Sequence, residues 1–351
     1  MSPEVLSIAV TVGEAIEGLD LSKGTYSRIF LGGGVFSRVN FAQTDFRESD
    51  LRETVFDGCD LRGAMFSGAN LRRAVFNQCQ LQQADFRLAN LHGATLSECD
   101  ASHAQLGGAA LSMLTLSKTR LDHGRLRGAN LDAAVLTGSS LIDVDADEVN
   151  WTHTSVIECD LTHLTWAQST MVRTVFFKTG LQAKSFAGVN LQGCMFGSSD
   201  LRKADFSNAT LTQCNFQSAQ LDGASFRSAV APNTLFCQAS AQEPVDFAQA
   251  RLRQALFTGA QFPGSRFAGA DLYQSHFAGA NVSGADFRSA ELTYADFRHA
   301  QLINADLRQA TMLRTCLHGT ITQGAQMTDR ARAIESDPEL AQSEAWQPAL
   351  G

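Results

Sequence analysis

The sequence predicts an all-β solenoid from three observations: an apolar residue at every fifth position, a small residue two places before it, and heavy use of phenylalanine. Every fifth residue from Phe41 reads Phe46, Leu51, Phe56, Leu61, Phe66, Leu71, Phe76, Leu81, Phe86, Leu91 and Leu96, an unbroken apolar file. Neither an α-helix nor a flat strand has this period. Two places earlier stand Val39, Thr44, Ser49, Thr54, Cys59, Ala64, Ala69 and Ala74, and the other three positions are mostly polar. Each step therefore turns one large and one small group inward and leaves the rest in water. The 351 residues include 23 Phe against 3 Tyr and 3 Trp, which places Phe at a recurrent buried position.

Composition narrows the function classes. The chain is long enough to bury a core without disulfide or metal support, and 44% hydrophobic residues with only 6 Pro argue against disorder. With 28 basic and 36 acidic residues the net charge is -8, which offers no basic footprint for nucleic acid. The balance is also too mild to imitate a polyanion unless the acids gather on one face. The opening MSPEVLSIAVTVGEAIEG carries Glu4 and Glu14 and no basic residue, so it reads as neither a signal peptide nor a membrane span. A cytoplasmic location with eight reduced thiols is the expectation.

The elements follow in order. Residues 1–18 form an N-terminal cap, with a helix over 3–12 that uses Ser2 as N-cap and Pro3 at its first position. Residues 19–140 are the first repeat array. From Ala101 the file loses its Phe, and Ala146 and Trp151 follow the leucines, so 141–175 is expected to be irregular coils or a loop. Its acids Asp143, Asp145, Asp147 and Glu148, together with Trp151, are candidate protein-docking residues. The array resumes over 176–322 with Phe176, Phe186, Phe196, Phe206, Phe216, Phe226 and Phe236. Phe247 follows eleven residues after Phe236 rather than ten, so one residue is inserted in SAQEPVDF. An outward bulge at 240–246 is the consequence, with Glu243 and Pro244 as further docking candidates. In the tail, 323–351, MTDRARAIESDPEL reads as a short helix and the final residues as disordered. Each end either caps an exposed strand edge or serves as a homodimer interface.

The segments ADFRLANLHGA, GSSDLRKADFSNATL and GADFRSAELTYADFRHAQLINADLRQA resemble the A-(D/N)-(L/F)-x-x unit of pentapeptide repeat proteins, and the likeness runs over roughly residues 19 to 322. It implies a right-handed quadrilateral β-helix of four steps per coil, about 15 coils in all. A ten-residue Phe spacing then falls on opposite walls, so rings stack along two walls and leucines along the other two. The layout AVTVGEAIEGLDLS ahead of a long array is similar to bacterial pentapeptide proteins of type VI secretion loci. That likeness implies a non-enzymatic scaffold, a cytoplasmic adaptor for effector loading, with a secretion effector, adaptor or spike component as partner. The alternative is a DNA mimic that binds DNA gyrase or topoisomerase IV, as the quinolone-resistance members imply. This chain departs from them in length, mild acidity and outward arginines.

No catalytic or cofactor motif stands in a credible context, and Gly32, Gly33 and Gly34 read as a turn. On a four-step coil Cys59, Cys79, Cys99 and Cys159 share one position, and Cys194 and Cys214 another; all are read as small buried filler rather than metal ligands. His103, His123, Asp143 and His163 share an outward position and form a column of candidate metal ligands, against which stands ordinary solvent-facing histidine. Arg47, Arg52, Arg62, Arg72 and Arg87 interleave with Asp45, Asp50, Asp60 and Asp85 as a mixed-charge lattice. No metal or cofactor is expected.

Overall fold

In the computed structural model residues 1–346 are described. The chain is a right-handed quadrilateral β-helix with a short N-terminal helix and a helical C-terminal tail. It divides into two compact units, Met1–Gly180 and Leu181–Gly351.

The first unit opens with α1 (Pro3–Thr11), whose N-cap Ser2 accepts from Val5 N as the sequence predicts. The helix lays Leu6, Ala9 and Val10 on the first coil, and Val10 sits where a side chain at Gly34 would collide with it. The fourth wall of each coil supplies a strand: β1 (Ile16–Glu17), β2 (Val35–Ser37), β3 (Val55–Asp57), β4 (Val75–Asn77), β5 (Thr95–Ser97), β6 (Thr115–Ser117), β7 (Val135–Thr137), β8 (Ser155–Ile157) and β9 (Val175–Phe177). These pair in order as one parallel sheet, each residue opposite the one 20 positions on, as in Phe36 with Phe56 and Phe56 with Phe76. The other three walls repeat the same register through single bridges such as Asp45 with Met65 and Asp60 with Gln80.

Why the repeat favours Asp or Asn before the large residue is visible at the corners that carry one. Asp45 Oδ1 accepts Arg47 N at 3.0 Å, and Asn40 Oδ1 accepts Ala42 N at 3.0 Å. The short side chain so satisfies a backbone donor that the bend would otherwise leave to solvent. Where Arg follows, it closes a bidentate pair, as Arg47 does on Asp45 at 2.9 and 2.7 Å. The next corner residue takes positive φ, about 60° for Gln43, Glu48 and Glu53.

Rings stack along two walls. Phe36, Phe56 and Phe76 follow one another at 5.4 and 5.0 Å, and Phe46, Phe66 and Phe86 at 5.2 and 4.8 Å. Between the walls the rings meet edge to face, as Phe66 does Phe76 at 6.2 Å. Where leucine replaces Phe, from Leu96 to Leu136, the tube holds an apolar void of about 10 Å³ beside Leu96, Leu106, Leu116 and Leu126.

The second unit has the same stacking, Phe186 on Phe206 at 4.8 Å and Phe196 on Phe216 at 4.9 Å. The predicted insertion is present. Gln220 pairs with Ser240, 20 residues on, but Ser225 pairs with Asp246, 21 residues on. The six-residue step pushes Gln242, Glu243 and Pro244 outward and keeps Val245 buried. Gln242 N is taken up by Asp222 Oδ1 at 2.7 Å, so the bulge leaves that donor satisfied.

Three expectations are corrected. Residues 141–175 keep the regular turn pattern, because the change of side chains is absorbed inside: small Ala146 and Val156 leave room for the Trp151 indole. Phe176, assigned by its period to the second array, lies in β9 of the first unit. Beyond Gly324 the coil continues, since β10 (Asp306–Leu307) pairs with β11 (Gln326–Met327), and α2 (Pro338–Glu344) begins later than the predicted helix. Asp337 caps α2, accepting from Glu339 N and Leu340 N. The final residues predicted as disordered, 347–351, lie outside the described residues.

Candidate functional site

The residues singled out by sequence differ in their surroundings. Trp151 is 1% exposed and lies inside the tube, so it faces no partner. Its Nε1 finds no hydrogen-bond acceptor there. Asp145, Asp147 and Glu148 surround one guanidinium, that of Arg127, at 3.9, 3.2 and 2.9 Å. Asp147 also accepts Ala167 N at 2.8 Å, which ties this cluster to the coil above. Glu243 and Pro244 are exposed on the six-residue step.

The histidine column exists as a stack. His103 lies over His123 with ring centroids 4.9 Å apart, and His163 Nδ1 stands 3.1 Å from Asp143 Oδ1. His123 Nδ1 reaches the other Asp143 oxygen at 3.6 Å. Because each member rises one coil above the last, the ligand atoms form a file and do not converge on one point.

Among the described residues one group does bring three ligand atoms within 4.8 Å of one another: His299, His318 and Glu344. Sequence reasoning missed it, since Glu344 comes from α2 and the two histidines from successive coils. Its hydrogen bonds define its chemistry. His318, almost fully buried, accepts Asp337 N at Nδ1 (3.1 Å), so its proton sits on Nε2, which donates to Glu344 Oε2 (3.1 Å). A cation on Nε2 would need the lone pair that this tautomer does not offer. His299 Nε2 is 3.4 Å from the same oxygen. The hydrogen bond from His318 holds the Glu344 carboxyl below its ordinary value, and the trio acts as a clasp for α2.

The cysteines carry more than volume. In the coil 41–60 three corners are closed by a turn hydrogen bond, Thr44 N to Phe41 O, Ser49 N to Phe46 O and Thr54 N to Leu51 O, and most coils of the first unit repeat this, whereas Val149 N reaches Ser169 Oγ at 3.1 Å. After the fourth wall the corresponding N–H turns to the next coil. Cys99 N donates to Thr119 Oγ1 at 3.4 Å, and Thr119 N to Ser139 Oγ at 3.1 Å. Cys59, Cys79 and Cys99 occupy the same corner one coil apart, and their thiols donate to Phe36 O, Phe56 O and Phe76 O at 3.4, 3.3 and 3.4 Å. That column is Cys59, Cys79, Cys99, Thr119, Ser139, Cys159 and Thr179, each able to accept. In the second unit the same corner is closed, as Ala219 N to Phe216 O and Ala239 N to Phe236 O, and alanine suffices. Hydrogen bonds to Cys59 and Cys99, with burial, push the Cys79 thiol up, while the hydrogen bond with Cys79 draws Cys59 and Cys99 down; burial pushes Cys159 and Cys214 up, which makes those two thiols poor nucleophiles.

On the fourth wall, where this corner is open, β2 to β9 run to three residues each. Its central outward column reads Val35, Val55, Val75, Thr95, Thr115, Val135, Ser155 and Val175, with no charged residue. Val35 is 43% and Val135 39% exposed. The first wall presents Asp60, Asp100, Arg120 and Asp160 at the same position, and the second Asp45, Asp85, Arg125 and Asp145. At a strand spacing of about 4.8 Å, β2 to β9 offer a strip about 34 Å long and about 10 Å wide. No helix among the described residues is long and apolar enough to cross a membrane.

The comparisons agree with this architecture. Residues 34–106 match the family described as pentapeptide repeat region, and 116–150, 190–227, 245–277, 270–309 and 285–324 match pentapeptide repeats (8 copies). No curated protein matches the chain. Among solved structures, trypsin-treated QnrB1, a plasmid-mediated fluoroquinolone resistance protein, is 23% identical over 51% of this chain and 88% of its own, with TM-score 0.39. HetL of the cyanobacterium Nostoc sp. strain PCC 7120, involved in heterocyst differentiation regulation, is 20% identical over 96% and 98%, with TM-score 0.21. A pentapeptide repeat protein of the Arabidopsis thaliana thylakoid lumen is 30% identical over 31% and 62%, with TM-score 0.14. Matched over more than half its length, and built from five-residue steps, many of them capped by Asp or Asn, the chain belongs to the pentapeptide repeat proteins.

Proposed function

We propose that the chain is a non-enzymatic, protein-binding scaffold that holds its partner along the outer face of β2 to β9. The observation that supports this reading is the uncharged, mostly β-branched column from Val35 to Val175 on one parallel sheet, beside a first wall that carries Asp60, Asp100, Arg120 and Asp160 at the same position. Interface centres are depleted of charge, whereas ordinary solvated faces are not. The sheet's own backbone groups are already paired between coils, so a partner packs side chains here rather than adding a strand. A strip about 10 Å wide and about 34 Å long has the footprint of one amphipathic helix laid along it.

In its narrower form the reading makes the chain a cytoplasmic adaptor for loading type VI secretion effectors. That form is supported by the likeness of AVTVGEAIEGLDLS alone, and Glu243 and Pro244 on the outward step are its second docking landmark. The polyanion-mimic reading is disfavoured by charge pairing. Asp45, Asp60, Asp85, Asp200 and Asp286 each lie within 2.7 Å of the arginine two places on, so these acids bring their own counter-ions.

The test is affinity capture from the native host with wild type, the double variant Val75→Arg/Val135→Arg, and Asn90→Arg on the third wall as control. A specific partner retained by wild type and control but lost by the double variant is the expected outcome. Equal retention by all three would reject the face. Gyrase supercoiling unaffected by a large molar excess is expected alongside.

A further inference from the structure

In the second unit one outward column reads Met195, Asn215, Leu235, Leu256, His276 and Asp296, each bridged to the next coil. From Leu235 onward this column is the floor of a groove of about 590 Å³. Half-buried Leu235 and Leu256 form its apolar base, and Asn233, Gln254, Gln274 and Tyr294 stand along one side as a ridge. The other side is low, since Ala278 and Gly279 come next after Phe277 and open space lies over Gly279.

The ridge is fixed in place. Its residues share the left-handed corner, φ 56° at Asn233 and 59° at Tyr294, and among the described residues Tyr294 is the only Phe, Tyr or Trp with such a backbone. That ring is 43% exposed and meets Tyr273 edge to face at 5.9 Å, while Tyr273 itself lies under the Arg253 guanidinium at 4.4 Å. Gln254 Nε2 donates to Gln274 Oε1 at 3.0 Å, which orients both amides and leaves the Gln254 oxygen and the Gln274 amino group for a ligand. No Lys, Arg, Asp or Glu lines the groove. The charges beside it are engaged, Arg253 by Asp271 at 3.5 Å and Asp296 by Arg298 at 2.7 Å.

We propose that this groove binds a neutral glycan, an extended chain of hexose rings laid across successive coils. A hexose has an apolar C–H face, which suits the leucine floor and the Tyr294 ring, and a rim of hydroxyls that donate and accept, as the ridge amides do. Like groups recur once per coil, about 4.8 Å, which is close to the length of one hexose unit in an extended chain, so successive rings meet equivalent partners. A peptide strand is the less suitable occupant, because its same-facing side chains recur about every 6.6 Å, out of step with the coils. Phosphate-bearing ligands find no cation in the lining. The site is independent of the face of β2 to β9.

Affinity electrophoresis of the full chain tests this, since a net charge of -8 carries it through a native gel. Gels that contain hydroxyethylcellulose, laminarin or pullulan present neutral glucans of different linkage. Retardation is expected to be strongest with hydroxyethylcellulose, whose chain is the extended one. Tyr294→Ala should raise the apparent Kd about tenfold or more, at unchanged far-UV circular dichroism and a thermal midpoint no lower than that of wild type. Met195→Ala, in the same column but outside the groove, serves as control and should bind as wild type does. No retardation in any gel overturns the proposal. So does retardation by laminarin or pullulan alone, retardation that Tyr294→Ala leaves unchanged, or retardation that Met195→Ala abolishes equally. Saturation-transfer NMR with cellohexaose and with a casein digest gives a second readout. Transfer to the hexaose that Tyr294→Ala abolishes is expected, and transfer to the peptides alone would reject a glycan in favour of a protein ligand.

Discussion

Thr119 is where one hydroxyl replaces a turn hydrogen bond. Its Oγ1 accepts Cys99 N and has its one proton between Leu96 O and Ser117 O, both at 3.1 Å, at 1% exposure. Thr119→Val keeps the shape and strands a buried N–H, so a loss of about 1–3 kcal/mol is expected from urea unfolding. Thr44 is the matched control. It is equally buried, but its own N–H closes the turn onto Phe41 O and its hydroxyl only donates to Leu21 O. Thr44→Val should therefore cost clearly less, and equal costs would refute the role assigned to the open corner. The cysteine column was legible as buried and small, but not as hydrogen bonding, because its partner atoms lie one coil away and 20 residues off in sequence.

At the scale of elements, packing volume accounts for most of what differs along the tube. The leucine stretch leaves the void beside Leu96 and Leu106, while Phe76 on the same wall as Leu96 ends its ring stack. Leu96→Phe extends that stack into space already present, so the ring contact, about 0.5–1.5 kcal/mol, should outweigh overpacking and raise the thermal midpoint. A lower midpoint would show that the wall cannot admit a ring. The coil with Trp151 teaches the converse: a break in the Phe file signalled irregularity, yet Ala146, Trp151 and Val156 are all buried in a coil that keeps the regular turn pattern. The bulge at Gln242–Pro244 was legible because an inserted residue shifts every later member of the file.

For the whole molecule, the pairs of Asp with Arg two places on set the response to acid. Hydrogen bonds from Arg47, Arg52, Arg62, Arg87 and Arg288 hold Asp45, Asp50, Asp60, Asp85 and Asp286 below their ordinary value. A carboxyl whose folded value is depressed adds stability that is complete above its unfolded value, about 4, and is lost as pH falls through the folded one. The urea midpoint should therefore be level from about pH 7 to about pH 5 and fall below about pH 4. Replacing Asp60 and Asp85 by Asn should lower the midpoint at neutral pH and flatten the acid limb. An unchanged limb would mean that these exposed pairs contribute nothing measurable.

By itself the sequence determined the solenoid, its two aromatic walls, the extra residue before Asp246 and the N-cap at Ser2, since each is written in spacing or in neighbouring residues. Only the tertiary structure decided which corner is open, which wall carries the three-residue strands, and how Glu344 reaches His299 and His318. Those features depend on atoms brought together across coils and from the tail. The period says that a residue points outward, but what it meets there is set by the residue one coil above.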